Sequence, residues 1–240
     1  MENALMQYLN RRLLLHDRKF ISSDTQPGPV ICISREVGCG GLNLARQLAS
    51  ELDKQSHLKK WNVLSKEILT ESAKELDMDR NKLRSIMKEG DRSLFDDILT
   101  AFNEKRFKSD RKITKTLTEL IKSFAQEGHC IIVGRAGHII ARDIEKSLLL
   151  KLTAPLEWRI KQIMEKNNFK MKEAIEFIEK TEKERDNFRH RISGEHAPNE
   201  EFDLVLNMAR MNNEQIILLI KQTAQIKGLL ETNKSKIEVF

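Results

Sequence analysis

The chain has 240 residues, of which 40% are hydrophobic and 32% are charged, with only 10 glycines and 4 prolines. This size and composition fit a folded domain of ordinary length and leave little room for long loops or extended disorder. The formal net charge of +6 and the sequence's 5% aromatic residues favour a small anionic partner over nucleic acid, because no basic segment interleaved with aromatic residues is present.

The N-terminal region predicts an added helix. Residues 1–20 show helical periodicity in Leu5, Leu9, Leu13 and Phe20, and the polar segment "SSDTQPGP" follows. We interpret residues 1–28 as a helical extension and linker that packs either on the domain or on a second copy in a homodimer. The segment lacks a signal peptide's apolar core, and no run approaches the roughly 18 apolar residues of a membrane span, so we expect a cytoplasmic protein without membrane contact.

The next elements predict a strand, a glycine-rich turn and a helix. "VICIS" is a short β-branched run from residue 30, and helical spacing extends from Leu42 to about Ser56. From Trp61 to about Lys108 the pattern is that of several short helices with no strand signal, which predicts a helical insertion.

Helices and strands alternate in the second half of the chain. The predicted strands are "CIIVG", "SLLLKL" and "FDLVLN"; the predicted helices are Ile113–Gln126, one opened by Pro155, Met171–Arg189 and Asn213–Leu230. Continuously apolar strands that alternate with helices predict an α/β fold with a parallel sheet covered by helices on both faces. Ligands of such sheets bind beyond the carboxyl ends of the strands, where the turn at residues 34–43 is expected.

The cysteines indicate no metal site and no disulfide framework. They are odd in number and lack CxxC spacing. Cys32 and Cys130 lie in apolar runs and are predicted to be core residues. Cys39 lies in the glycine-rich turn and is expected to be exposed.

The turn itself predicts an anion site that lacks the usual lysine. Gly38, Gly40 and Gly41 would let the backbone approach a phosphate at the start of a helix, although a tight turn that merely avoids a clash has the same glycines. A Walker A loop has the pattern GxxxxGK[ST]. Aligned on Gly40, Arg35 replaces its first glycine, Gly41 its lysine and Leu42 its hydroxyl residue.

Several segments in the same order resemble the cytidylate kinase-like family, relatives of the bacterial CMP kinases. They are "ISREVGCGGLNLARQLA", "NVLSKEIL", "IIVGRAGHII", "KLTAPLEWRI", "EKERDNFR" and "FDLVLN", within about residues 29–225. The resemblance implies a P-loop nucleoside monophosphate kinase fold of the three-layer type over residues 29–230. It implies a helical monophosphate-binding region at residues 61–110 and a lid at 183–200, leaving residues 231–240 as a tail. This branch of the family generally lacks the P-loop lysine.

Phosphoryl transfer depends on charge neutralisation and alignment, so arginines are the expected catalytic groups. Arg35 could replace the missing lysine's charge. Arg135 follows a strand and a glycine and could reach a phosphate, or could instead cap a helix or pair with Asp143 or Glu145. Arg185 and Arg189 share a helix face that matches the lid, but could also be a solvated charged surface.

The remaining site predictions concern the nucleotides and the metal. Ser65 and Arg111 join Arg135 and Arg185 as substrate-binding candidates through the resemblance, although Ser65 could be only a helix N-cap. Asp203 is expected to be structural. ATP and Mg²⁺ are the implied cofactors; no metal ligand is assigned, and Glu36 could act through water. The residues expected to bind the cofactor are Ser34, Arg35, Gly38, Cys39, Gly40, Gly41, Leu42 and Asn43.

The leading functional hypothesis is ATP-dependent phosphoryl transfer to a nucleoside monophosphate, CMP or dCMP by resemblance. The alternative is a catalytically silent nucleotide-binding module with a sensing or assembly role, since the lysine, the P-loop hydroxyl and the acidic residues of the family's "DGRD" segment, here "VGRA", are missing. Nucleic-acid binding through the positive charge is the third and weakest hypothesis.

Overall fold

A computed structural model describes residues 5–6, 28–54, 59–78, 95–99, 110–193 and 201–230. The strands are β1 (Val30–Arg35), β2 (Asn62–Ser65), β3 (Cys130–Val133), β4 (Ser147–Thr153) and β5 (Leu204–Asn207). The helices are α1 (Gly41–Asp53), α2 (Lys66–Met78), α3 (Asp110–Glu127), α4 (Gly137–Ile140), α5 (Leu156–Asn167), α6 (Met171–Ser193) and α7 (Asn213–Ile226). Residues 95–99 are also helical. No helix in these ranges is both long and apolar enough to cross a bilayer.

The five strands form one parallel sheet in the order β2-β3-β1-β4-β5. The predicted α/β class with a parallel sheet is therefore confirmed. Strand β1 lies in the middle, with Ile33 opposite Val133 of β3 and Arg35 opposite Leu152 of β4. The carboxyl ends of β1 and β3 are thus neighbours, and the turns that follow them lie side by side.

The alternation of side chains along β1 divides the core between the two faces of the sheet. Ile31 and Ile33 pack in a cluster with residues of α1 and α7, whereas Val30 and Cys32 pack in a cluster with residues of α2 and α3. Each fully buried aliphatic side chain stabilises the fold by about 1.5–3 kcal/mol relative to an exposed one. The continuously apolar strands are explained by helices that cover both faces.

Part of the N-terminal region packs against this domain. Leu5 is completely buried in the same cluster as Phe95 and Leu117, and Met6 packs beside it. This is the intramolecular alternative foreseen for the N-terminal helix. The rest of that predicted helix lies outside the described residues, and the homodimer stays a prediction.

Strand β2 contradicts the expectation that no strand follows Trp61. Residues Asn62–Ser65 pair in parallel with Cys130–Val133 of β3, and Trp61 N donates to Asp53 Oδ1 at 2.7 Å. Four residues with a polar one at each end carry almost no strand pattern, and α2 begins at the next residue. The partner strand, more than sixty positions away in the sequence, determines this conformation.

The other elements agree with the sequence prediction and differ at their ends. Helix α1 ends at Asp53, earlier than expected, whereas α3 and α6 extend beyond their predicted limits and α7 ends at Ile226. Residues 95–99 are helical, as predicted for the insertion. Positions 79–94 and 100–109 of that insertion lie outside the described residues.

Asp203 has a structural role in joining the last two strands. Its Oδ2 accepts a hydrogen bond from Leu149 N at 2.8 Å, its Oδ1 accepts one from Lys227 Nζ at 2.6 Å, and its own N–H donates to Leu149 O. Asp203 directly precedes β5, and its side chain accepts a hydrogen bond from a backbone N–H of β4. The same carboxylate also pairs with Lys227 at the end of α7.

We expect Asp203→Ala to lower the free energy of unfolding by about 1–2 kcal/mol, because it leaves the N–H of Leu149 without its acceptor. Urea unfolding followed by circular dichroism measures this loss. The control is Asp143→Ala, whose side chain is 87% exposed and which should change the free energy by less than about 0.5 kcal/mol. Equal stability of the two variants would contradict the role assigned to Asp203.

Candidate functional site

The turn between β1 and α1 lies at the carboxyl end of the sheet, as predicted. Gly38 and Gly40 have φ angles of 100° and 62°, a region that glycine adopts without the strain of a Cβ. Gly40 precedes α1, and its carbonyl accepts hydrogen bonds from Asn43 N and Leu44 N. Nothing lies within 4 Å of the place where a Cβ of Gly40 would be. The start of α1 therefore has open space beside it, where its partial positive charge favours an anion.

The side chain of Arg35 lies between two glycines. A Cβ on Gly41 would be 3.2 Å from Arg35 Cγ and 3.3 Å from Cδ, and one on Gly134 would be 1.8 Å from Arg35 Nη1. Gly41 is the first residue of α1 and corresponds to the P-loop lysine. The stem of Arg35 thus occupies the space in which a side chain at position 41 would begin.

Three arginines form a positive cluster at this end of the sheet. Burial is the largest cause, and the charge of Arg185 the second, of a pKa of Arg35 that is lowered to about 10. The charge of Arg135 lowers this pKa further, whereas the charge of Glu67 raises it. Burial also lowers the pKa values of Arg135 and Arg185. All three guanidinium groups stay charged at neutral pH, but burial makes their charged form less favourable than it is in water. A bound anion would relieve this cost.

Arg135 lies in the turn after β3 with a left-handed backbone and a buried guanidinium. Its φ of 52° and that of Ala136, 53°, are both in the left-handed region. Its guanidinium carbon lies 5.3 Å from the ring centroid of Phe188 on α6, and its Nε is buried without a hydrogen-bond partner in the described parts of the chain. Asp143, one of its foreseen partners, contacts Arg142 instead. A buried donor without an acceptor is unusual in a folded protein, which keeps Arg135 a candidate for binding an anion.

Helix α6 brings Arg185 to the turn. Arg185 Nη1 donates to the carbonyl oxygen of Arg35 at 2.9 Å. Arg189, one helical turn further on, is close enough to affect the pKa of Arg185, but its own guanidinium pairs with Asp186 on the same helix. The structure thus places Arg35, Arg135 and Arg185 together, with Arg189 beside them in an ion pair.

The comparisons with known proteins agree with this geometry. Residues 30–210 match the sequence model of the cytidylate kinase-like family. The chain belongs to this family. Among curated proteins, none matches the sequence.

Solved structures resemble this member of the cytidylate kinase-like family in fold. An uncharacterized protein from Eubacterium ventriosum is 19% identical, with a TM-score of 0.58 over 82% of this chain and 98% of the other. The protein TT1252 from Thermus thermophilus is 16% identical, with a TM-score of 0.41 over 86% of this chain and 100% of the other. The first similarity supports the α/β fold with a parallel sheet that the sequence predicted.

In this cytidylate kinase-like protein, the carboxylate of Glu36 makes contacts within the fold. Glu36 Oε2 accepts hydrogen bonds from Thr153 Oγ1 at 2.8 Å and Ala154 N at 3.0 Å, and it lies 3.4 Å from Arg159 Nε. These contacts account for the carboxylate as a structural group. Within the described ranges, no three His, Cys, Asp or Glu side chains are grouped to hold a metal ion. The positive charge of the three arginines is of the kind that suits the phosphates of a nucleotide, whereas the described residues supply no set of acidic ligands for Mg²⁺.

Cys39 is buried, contrary to the expectation that it is exposed. Its side chain is 1% exposed and packs in the cluster that includes Leu44 and Leu48 of α1. The left-handed backbone at Gly38 and Gly40 on either side turns residue 39 inward, which the composition of the turn does not reveal. Cys39 can therefore contribute to cofactor binding only through its backbone. Cys32 and Cys130 are buried as predicted.

Burial makes the cysteines unreactive. Desolvation raises the pKa of Cys39 to about 12 and raises the pKa values of Cys32 and Cys130 as well. Because the thiolate is the reactive form, we expect none of the chain's three cysteines to react with Ellman's reagent within minutes at pH 8. All three should react in denaturant. Rapid release of one thionitrobenzoate per folded chain would contradict the buried position of Cys39.

The other predicted residues lie in four different environments. Ser34 is buried on β1, on the opposite side of the strand from Arg35, and Leu42 and Asn43 lie in the first turn of α1. Ser65 is fully buried, and its Oγ accepts a hydrogen bond from Ile68 N at 3.2 Å, so it caps α2. Arg111 lies in α3, but its side chain is outside the described residues.

Sequence reasoning missed Glu67, which lies at the start of α2 next to the arginines. Burial would raise the pKa of its carboxyl, but hydrogen bonds from its own N–H and from Ser65, together with the charges of Arg35 and Arg135, lower it. Glu67 is thus a resident counter-charge of the cluster. Its position two residues after the capping serine in "LSKEIL" was the available signal, since acidic residues are favoured there.

Proposed function

We propose that this protein transfers the γ-phosphoryl group of ATP to a nucleoside monophosphate, CMP or dCMP. The observation that carries the proposal is the arginine cluster at the carboxyl ends of β1 and β3, where the buried Arg135 Nε has no hydrogen-bond partner among the described residues. A site in which burial and mutual repulsion act on three guanidinium groups suits a ligand with several negative charges. The substrate class rests on membership in the cytidylate kinase-like family.

The turn and α1 would bind the phosphates of ATP. The start of α1 lies next to the open space beside Gly40, and anions are stabilised at the N-terminus of a helix. Arg35 would supply the charge of the missing lysine from the other end of the turn. Its planar head reaches across Gly134 toward the end of β3, which places it between the turn and Arg135.

Arg135 and Arg185 would neutralise the transferred and accepting phosphates. Negative charge spreads over the equatorial oxygens during transfer, and preorganised donors stabilise it without reorganising. Arg135 enters from the turn after β3 and Arg185 from α6, so the two approach from different elements. When bound, Mg²⁺ would supply positive charge that offsets the negative charge of the phosphates. Arg189 stays a candidate catalytic residue, and Ser65 and Arg111 stay candidates for substrate binding.

A second candidate function is a nucleotide-binding module without catalysis. It is favoured by the contacts of Arg185, which donates to the carbonyl of Arg35, and of Glu36, which is used by Thr153 and Ala154. In such a module the same groups would hold the turn rather than act on a phosphoryl group. It predicts that ATP binds and that no acceptor is phosphorylated.

Incubation with Mg²⁺, γ-labelled ATP and a panel of nucleoside monophosphates distinguishes the two functions. We expect label in CDP or dCDP, and a loss of about 100-fold in kcat/KM for Arg185→Ala. The matched control is Arg142→Ala, an exposed arginine paired with Asp143, which should retain full activity. Binding of ATP without transfer to any acceptor would favour the silent module, and absence of both would refute the proposal.

Anion binding should also stabilise the fold, because it offsets repulsion among the arginines. A ligand at 100 times its Kd adds about 2.7 kcal/mol to the free energy of unfolding, and we expect inorganic tripolyphosphate to raise the Tm accordingly. The increase should be lost in Arg135→Ala and kept in Arg142→Ala. An unchanged Tm for the wild type at millimolar tripolyphosphate would contradict the anion site.

A further inference from the structure

Two helices hold the backbone of Val37 in the turn with opposite charges. Val37 N donates to Glu182 Oε1 of α6 at 2.6 Å, and Val37 O accepts a hydrogen bond from Arg159 Nη1 of α5 at 3.3 Å. The two side chains lie close to each other as well, with Arg159 Nη1 3.6 Å from Glu182 Oε1. The N–H and the C=O of one turn residue are therefore both fixed by charged groups from outside the turn.

Arg159 is itself held in place. Its Nε donates to Ala154 O at 3.1 Å and lies 3.4 Å from Glu36 Oε2, and its side chain is only 12% exposed. Gly38 packs directly on it, since a Cβ on Gly38 would be 2.9 Å from Arg159 Cβ. Arg159 thus fills the side of the turn that faces α5, and the absence of a side chain at Gly38 permits this close contact.

An apolar cluster reinforces the same connection. The side chain of Val37 is buried with Ile160 and Ile163 of α5 and Ala174 and Ile178 of α6, separately from the clusters on the two sheet faces. The turn is therefore attached to the α5–α6 pair by polar contacts through its backbone and by apolar contacts through Val37. One turn of α6 beyond Glu182, Arg185 contacts the carbonyl of Arg35.

We propose that Glu182 and Arg159 are positioning residues that set the conformation of the phosphate-binding turn. Glu182 of α6 and Arg159 of α5 orient the two peptide groups of Val37. Helix α6 also carries Arg185, so the same helix positions this arginine at the turn. The proposal rests on the proposed function in one respect, namely that this turn binds phosphate. It adds that the capacity to do so depends on an acidic residue that never touches the ligand.

The sign of the effect distinguishes positioning from simple electrostatics. Glu182 is a negative charge close to the arginine cluster, and it raises the pKa values of Arg35 and Arg185. If Glu182 acted only through its charge, its removal would strengthen the binding of an anion. If it positions the turn, its removal weakens binding even though the local charge becomes more positive.

Tripolyphosphate binding to the full-length protein, measured by isothermal titration calorimetry, tests this. We expect Glu182→Ala to weaken binding by about tenfold, as expected for the loss of a hydrogen bond to a charged group. Arg159→Lys should weaken it similarly, because an ammonium keeps the charge but cannot contact Ala154 O, Glu36 and Val37 O together. The matched control Glu179→Ala, an exposed residue one turn earlier on α6, should bind as the wild type does. Tighter binding by Glu182→Ala would overturn the proposal.

Hydrogen–deuterium exchange separates this proposal from the proposed function. We expect peptides covering residues 35–40 to exchange at least about tenfold faster in Glu182→Ala than in Glu179→Ala, with no change in peptides from β4. If the wild type binds no tripolyphosphate, the proposed function fails, and exchange alone then decides whether Glu182 orders the turn. Unchanged exchange at residues 35–40 would overturn the positioning role whatever the binding result.

Discussion

Replacing Arg35 by alanine is expected to lower kcat/KM for phosphoryl transfer by about 1000-fold, the range found when a single arginine or preorganised donor is removed at a site of developing charge. The reason is the position of its side chain, which fills the space of a side chain at Gly41 and reaches Gly134. Radiolabel transfer from ATP to CMP under single-turnover conditions measures the effect on the chemical step.

The electrostatics of the cluster predict no loss of folding stability from removing the charge of Arg35. Because burial and Arg185 lower the pKa of Arg35 to about 10, keeping its charge disfavours the folded state at every pH below about 10. This cost disappears as the pH rises through the folded pKa toward the unfolded one. Arg35→Ala removes the cost at neutral pH, so thermal unfolding should show no loss from electrostatics.

A second arginine variant tests the geometry of the site. Arg35→Lys retains a positive charge, but its ammonium lacks the planar head that lies over Gly134. We therefore expect it to recover only part of the activity, about tenfold above Arg35→Ala. Full activity in Arg35→Ala would show that Arg35 only fills space, and the function would then rest on Arg135 and Arg185.

The sequence contained enough to predict most of the sheet and the glycine-rich turn at its carboxyl end. Apolar runs such as "CIIVG" and "SLLLKL" are continuous because helices cover both faces of a parallel sheet. Glycines at positions 38 and 40 predicted the turn, because glycine readily adopts the positive φ angles that both residues have in the structure. These signals are local in the sequence, so they can be interpreted without knowing which residues lie next to them in the folded protein.

Contacts between distant segments were not predictable in the same way. Strand β2 exists through its pairing with β3, and Cys39 is buried because α1 folds over it. Glu182 and Arg159 looked like ordinary charges of amphipathic helices, since nothing in the helical pattern shows that both meet Val37. Only the three-dimensional arrangement separates these from the exposed charges beside them, such as Glu179.

Moving the positive charge from an arginine at position 35 to a lysine at position 41 tests whether Arg35 acts in place of the P-loop lysine. Gly41→Lys alone should lower activity by about 100-fold. A Cβ at position 41 would lie 3.2 Å from Arg35 Cγ, so the new side chain has to displace Arg35, and it adds a positive charge to a cluster that is already repulsive. Overpacking of this kind also costs about 1–3 kcal/mol of stability.

Arg35→Gly combined with Gly41→Lys should reverse much of this loss. The double variant has glycines at positions 35 and 40 and lysine at 41, which is the GxxxxGK spacing of a P-loop, and the space vacated by the arginine stem receives the lysine. If the two residues serve one purpose, their effects are strongly non-additive, and the double variant should be within about tenfold of the wild type although each single variant is at least about 100-fold impaired. Additive losses in the kinetic double-mutant cycle would mean that Arg35 does not act in place of the lysine. Coupling would mean that the position of the charge, and not the residue that carries it, is what this turn requires.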